Sequence, residues 1–122
     1  MTLDFIDMDI GDVREITLIG RITLGQGVQK LREAIEAVLA RGRRRLLLNF
    51  DEVFYVDSSG LGELVNTRRK VLDQGGEVKL MKLNQINRDL MQVTRICTLF
   101  EVFADENSAI ESFKKRPSPA EA

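Results

Sequence analysis

The chain has 122 residues, 43% of them hydrophobic, with 18 basic side chains against 19 acidic ones for a formal net charge of -1. That length fits one domain burying roughly two-thirds of its unfolded surface, and so balanced a charge gives no field of one sign to draw the molecule onto nucleic acid or anionic lipid. With no histidine and one cysteine, Cys97, the chain lacks the parts of a Ser-His-Asp or Cys-His nucleophile and of the usual zinc sites, and no EF-hand or P-loop spacing is visible; it reads as a non-enzymatic protein with no cofactor and no metal.

Leu3 to Ile10 and Val13 to Ile19 read as strands joined by Gly11-Asp12, a pair suited to a tight hairpin turn, so the chain opens antiparallel. From Gln26 to Arg41, the residues Val28, Leu31, Ile35, Val38 and Leu39 recur at helical spacing, and Gly42 ends the helix. Arg41, Arg43, Arg44 and Arg45 surround its C-terminus, where the helix dipole favours cations, and read as a solvated face in preference to a nucleic-acid patch. Leu46 to Phe50 is a nearly continuous apolar run, as expected for a central strand covered on both faces, within a strand-like segment reaching Val56. Leu61, Leu64, Val65 and Leu72 mark a helix from Leu61 to Gln74, ended by Gly75-Gly76, and Val78 to Met81 is the next strand. Ile86, Leu90 and Val93 give a shorter helix over Ile86 to Thr94, Leu99 to Phe103 a last strand, and Ala109, Ile110 and Phe113 one side of a final helix.

Cys97, Met81, Met91, Phe100 and Phe103 read as packing. Lys114 to Ala122, with both prolines, reads as a disordered tail after a domain of residues 1–113. The predicted fold is a single α/β domain: a mixed, mainly parallel sheet opened by an N-terminal β-hairpin, with about four helices. The apolar runs are only a few residues long, and Met1-Thr2-Leu3-Asp4 lacks the basic and apolar regions of a signal peptide. With the lone cysteine, these features predict a soluble, cytoplasmic protein that does not insert into a membrane.

The segment Asp57-Ser58-Ser59-Gly60-Leu61-Gly62 lies where the central strand turns into a helix, the edge at which α/β folds place ligand and partner sites. A hydroxyl there sits at a helix N-terminus, where unpaired N-H groups and the positive end of the dipole converge, so the fold tolerates an added phosphate while its surface changes sharply. Ser58 or Ser59 reads also as the N-cap, worth about 1 kcal/mol, and the two roles are compatible. Asp57 reads as an acceptor of local backbone hydrogen bonds that shape the turn. A phosphoaspartate of the response-regulator type is disfavoured, because the acidic pair it needs would have to be Asp7 and Asp9, in the opening hairpin. Gly60 and Gly62 give steric relief in a tight turn.

This hexapeptide, with Leu46-Leu47-Leu48-Asn49-Phe50 before it and Gly75-Gly76-Glu77-Val78-Lys79-Leu80 and Leu99-Phe100-Glu101-Val102-Phe103 after it, resembles the STAS domain family, and within it the bacterial anti-sigma factor antagonists. The resemblance covers nearly the whole chain. It implies that Ser59 is phosphorylated by a partner that is both anti-sigma factor and serine kinase. The unphosphorylated form would bind that partner and free a sigma factor, and a phosphatase would reverse the modification. It implies a contact surface of Thr23, Asp57, Ser58, Ser59, Gly60, Leu61 and Gly62 on a monomer or weak dimer. Thr23 stands where many members carry an Asp shortly after the second strand. A second reading within the resemblance is a STAS-type accessory subunit of a membrane transport or lipid-trafficking complex, using the same surface constitutively.

Overall fold

The computed structural model describes residues 3–115. Five strands form one sheet in the order β1-β2-β3-β4-β5: β1 (Leu3–Ile10), β2 (Val13–Ile22), β3 (Arg45–Val56), β4 (Glu77–Met81) and β5 (Val102–Phe103). β1 and β2 pair antiparallel, with Ile10 opposite Val13 across the Gly11-Asp12 turn, and every later pairing is parallel. The helices are α1 (Gln26–Ala40), α2 (Ser58–Asp73), α3 (Gln85–Val93) and α4 (Glu106–Lys115). The predicted mixed sheet, hairpin and helix count are all present. α4 includes Lys114 and Lys115, and the remainder of the predicted tail, 116–122, lies outside the described residues.

Alternation along β3 divides the molecule into layers. Leu46, Leu48 and Phe50 point into the larger core, with Leu31 and Ile35 of α1, Leu64 and Val71 of α2 and Met91 of α3. Leu47 points the other way, into a smaller cluster with Val13, Met81 and, from α4, Ala109 and Phe113. A strand buried on both faces needs apolar residues at successive positions, which is why its sequence shows no period of two. The β2–β3 register shifts between Thr17 and Ile19 and again between Gly20 and Arg21. Val53, between the two irregularities, and Val56, beyond both, face the core while Phe54 and Tyr55 are exposed, as local re-aiming of side chains at a bulge allows.

Several expectations are corrected. β2 runs three residues beyond Ile19, and α2 begins at Ser58, three residues before Leu61. The predicted last strand shrinks to Val102–Phe103 behind a single 3-10 turn, Ile96–Thr98. Arg95 adopts a left-handed conformation, φ 63°, which breaks the chain direction after α3, and Phe100 drops into the core where a strand residue was expected. Ile86 and Val93 do not face inward on α3: they are 63% and 82% exposed, and Asn87 and Met91 are the buried pair. Asn87 takes the inner face because its Nδ2 donates to the Val53 carbonyl at 3.1 Å, next to the β2–β3 irregularity. Leu72 is likewise exposed. Cys97 is exposed as well, at the mouth of a cavity of about 350 Å³ that it shares with Met91 and Phe103.

The basic run is neither a free patch nor fully solvated. Arg43 pairs with Asp9, Arg45 with Asp12 and Glu77 at 2.9 and 3.7 Å, and Arg44 Nη1 donates to the Leu39 and Arg43 carbonyls. Three of the four guanidinium groups are thereby committed within the chain. Among the described residues no helix is long and apolar enough to cross a membrane, and no group of three His, Cys, Asp or Glu side chains could hold a metal ion.

Candidate functional site

β3 delivers Asp57 to the C-terminal edge of the sheet, where α2 starts. Asp57 holds extended dihedrals, and its two carboxylate oxygens do different work. Oδ1 accepts from the Gly60 N-H at 2.8 Å and caps α2; Oδ2 accepts from the Leu24 N-H at 2.9 Å, across 33 residues of sequence, and fastens the loop after β2. The Asp57 N-H donates to the Ile22 carbonyl at 3.2 Å, and its carbonyl accepts from Leu61 N-H at 2.9 Å. One residue thus ties β2, the β2–α1 loop and the first turn of α2 together. The expected role of Asp57 in shaping the turn is the one seen.

The cap is Asp57, not Ser58 or Ser59. That correction changes the chemistry of the site. A capping hydroxyl would be committed to the helix, whereas here Ser58 and Ser59 occupy the first two positions inside it. Their N-H groups are the first-turn donors that a helix cannot pair internally. Ser58 is exposed and Ser59 half-buried. An anion bonded to the Ser59 hydroxyl oxygen would therefore sit at the positive end of α2.

Gly60 is required sterically: a Cβ there would overlap the Ile22 carbonyl oxygen and crowd Val56 Cγ1, so only glycine lets α2 start this close to β2. Gly62 has open space around it and no such constraint. Leu61 is 5% exposed and packs in the core. Of the residues expected on a contact surface, Gly60 and Leu61 are thus inside the fold and hold the turn in place. Thr23 is half-buried, and its carbonyl accepts from Val28 N-H at 3.0 Å as α1 begins. The Asp57 to Leu24 bond brings that segment beside the α2 N-terminus.

One turn into α2, Glu63 is 4% exposed. Its carboxylate receives Arg32 of α1 on both oxygens, Nη2 to Oε1 at 2.8 Å and Nε to Oε2 at 3.4 Å. The Glu63 hydrogen bond raises the Arg32 pKa further above its ordinary value. Sequence reasoning missed this pair, and also a set of exposed apolar residues on the same edge. These are Leu24 at 77%, Phe54 at 54%, Tyr55 at 46% and Ile86 at 63%. Asn84, which caps α3, joins this edge by donating to the Val53 carbonyl at 3.2 Å. The available signal was Phe54-Tyr55, two large apolar residues near the end of a strand whose inner positions were already filled.

The model of the STAS domain family matches residues 10–109. The chain belongs to the STAS domain family. Within it, the chain is 22% identical over 107 residues to the anti-sigma factor antagonist BtrV of Bordetella bronchiseptica, covering 88% of this chain and 92% of that one. An anti-sigma factor antagonist of Mycobacterium paratuberculosis superposes with a TM-score of 0.82 at 20% identity, over 93% of this chain and 95% of that one. The phosphorylated form of the Bacillus protein SpoIIAA superposes with a TM-score of 0.68 at 21% identity, over 90% and 99%. Identities this low carry the STAS fold alone.

Proposed function

We propose that this STAS domain is an anti-sigma factor antagonist whose unphosphorylated form docks on an anti-sigma factor with serine kinase activity, frees a sigma factor, and is disabled by phosphorylation of Ser59. The observation that carries the reading is the division of labour at the α2 N-terminus: Asp57 caps the helix, which leaves the Ser59 hydroxyl for modification. SpoIIAA, of like fold, is known in a phosphorylated form.

The docking face is the edge that holds Ser58, Ser59, Thr23 and Gly62, ringed by Leu24, Phe54, Tyr55 and Ile86. Apolar anchors around a polar centre are the arrangement expected of a specific interface. A phosphoryl group adds about -1.5 to -2 charge and three acceptor oxygens. The unpaired N-H groups of α2 can receive it, so the fold survives. A partner surface desolvated against a neutral hydroxyl is instead confronted with a charge beside the Asp57 carboxylate, and the contact is lost. A phosphatase resets the cycle.

Mass spectrometry tests the assignment after incubation with the cognate anti-sigma kinase, ATP and magnesium. Phosphate on Ser59 alone, absent in Ser59→Ala, is the expected result. Phosphate on Ser58, or a modified site that survives Ser59→Ala, contradicts it.

A further inference from the structure

The cavity beside α3 shares no residue with the docking face and has no task in the phosphoryl switch. It arises where the chain turns away from the sheet after α3: Arg95 enters the left-handed region, the 3-10 turn Ile96–Thr98 follows, and Phe100 drops into the core. β5 is left with two residues, Val102–Phe103, too short to close the space between the sheet edge and α3. What remains is a cavity of about 350 Å³, inside the size range of small-molecule sites, roughly 300 to 1,000 Å³. Exposed Cys97 stands at its mouth.

The lining is apolar at depth and polar on one side. Leu83 and Met91 are buried and supply the inner part, and Phe103 and Val102 of β5 continue it outward. Met91, unbranched and flexible, adapts to an irregular guest. Arg88 and Gln92, one helical turn apart on α3, supply the polar side. Arg88 is exposed, and its Nη2 makes one long bond, 3.4 Å, to the Leu83 carbonyl. That bond keeps the guanidinium at the cavity and leaves its other N-H groups to bind something else. Among the described residues no carboxylate pairs with Arg88. The neighbouring acids Asp89 and Asp105 accept instead from Gln85 and Ser108.

We propose that this cavity binds a small amphiphile with a single carboxylate, a medium-chain fatty acid in chemical class. Its apolar tail displaces water from Leu83, Met91 and Phe103, and the Arg88 guanidinium receives its head group. A carboxylate suits the site better than a phosphate monoester does. One guanidinium balances one negative charge, and its parallel N-H groups match the two oxygens of a carboxylate. Each methylene taken out of water strengthens binding about fourfold, so affinity climbs with chain length until the cavity is full and then levels off. Non-specific adsorption on exposed apolar side chains has no such limit.

Titration of the full chain with hexanoate, octanoate and decanoate below their micelle concentrations, followed by NMR of backbone amides and methyl groups, tests the site. The rate of Cys97 alkylation by a maleimide is a second readout. Saturable one-site binding is expected, with shifts centred on Leu83, Met91 and Val102, affinity rising from hexanoate to octanoate, and slower alkylation of Cys97 in the bound form. Arg88→Gln, altered on an exposed side chain, should melt like wild type and bind octanoate about tenfold more weakly or worse, through loss of a charge-assisted contact. Absence of saturation, shifts centred on Leu24, Phe54, Tyr55 and Ile86, or unchanged affinity in Arg88→Gln overturns the proposal. Octyl phosphate binding more tightly than octanoate contradicts the carboxylate assignment.

Discussion

In the proposed switch Asp57 and Ser59 divide two tasks that a single serine could have combined, and substitutions separate them. Asp57→Ala removes the α2 cap and the anchor of Leu24 together. It should cost about 1 to 3 kcal/mol, the sum of a cap and a second charge-assisted bond, read as a lowered urea midpoint. Ser59→Ala removes neither bond, so its melting curve should stay within about 0.5 kcal/mol of wild type. Gly60→Ala forces a methyl onto the Ile22 carbonyl and should be the most damaging small substitution in the turn. By contrast Gly62→Ala meets nothing and should be neutral or stabilising by up to about 1 kcal/mol, since alanine is the better helix former. Equal melting temperatures for the two glycine variants would contradict this account of the turn.

α1 and α2 are joined by more than apolar contact, and the Arg32–Glu63 pair is where that can be measured. Arg32→Ala leaves the Glu63 carboxylate buried without its cation. Because the Arg32 side chain is itself 48% exposed, water enters readily and the expected cost is moderate, about 1 to 2 kcal/mol by chemical denaturation. The double variant Arg32→Ala/Glu63→Gln should recover part of it, and no recovery would show that the pair does not couple the helices. Arg32 and Glu63 are 31 residues apart, and nothing in either local pattern announces the pairing. The same reason hid the bond from Leu24 to Asp57. Where a side chain's fate depended on its own element, the sequence was informative: the apolar run Leu46 to Phe50 marked the central strand, and Gly11-Asp12 marked the hairpin. Where it depended on a distant backbone group, the pattern misled. α3 carries Ile86 and Val93 outside because the Val53 carbonyl claims Asn87. The strand expected over Leu99 to Phe103 yields to a 3-10 turn once Arg95 enters the left-handed region. Asp57, Ser58, Ser59 and Gly60 were legible as a turn at the strand-to-helix edge, but which side chain capped it was not, because serine and aspartate cap equally well.

At the scale of the molecule, the proposed phosphorylation would give a chain of net charge -1 about two further negative charges on one edge. A switch of that kind would change what the surface accepts while leaving the sheet and helices as they are. Under that proposal the exposed side chains Leu24, Phe54, Tyr55 and Ile86 would contribute binding energy in the unmodified state, and the added charge would cancel it in the modified one. Truncating the ring tests that division: Phe54→Ala should weaken partner binding by about tenfold or more while leaving phosphorylation confined to Ser59. The most direct measurement is a titration of the anti-sigma partner with wild type, Ser59→Ala and Ser59→Asp protein, run beside thermal melts of each. Wild type and Ser59→Ala should bind alike, and Ser59→Asp should bind at least tenfold more weakly while melting at or above the Ser59→Ala temperature, because a carboxylate is stabilised at a helix N-terminus. Ser59→Asp binding as tightly as wild type, or losing binding only in step with unfolding, would contradict the electrostatic switch.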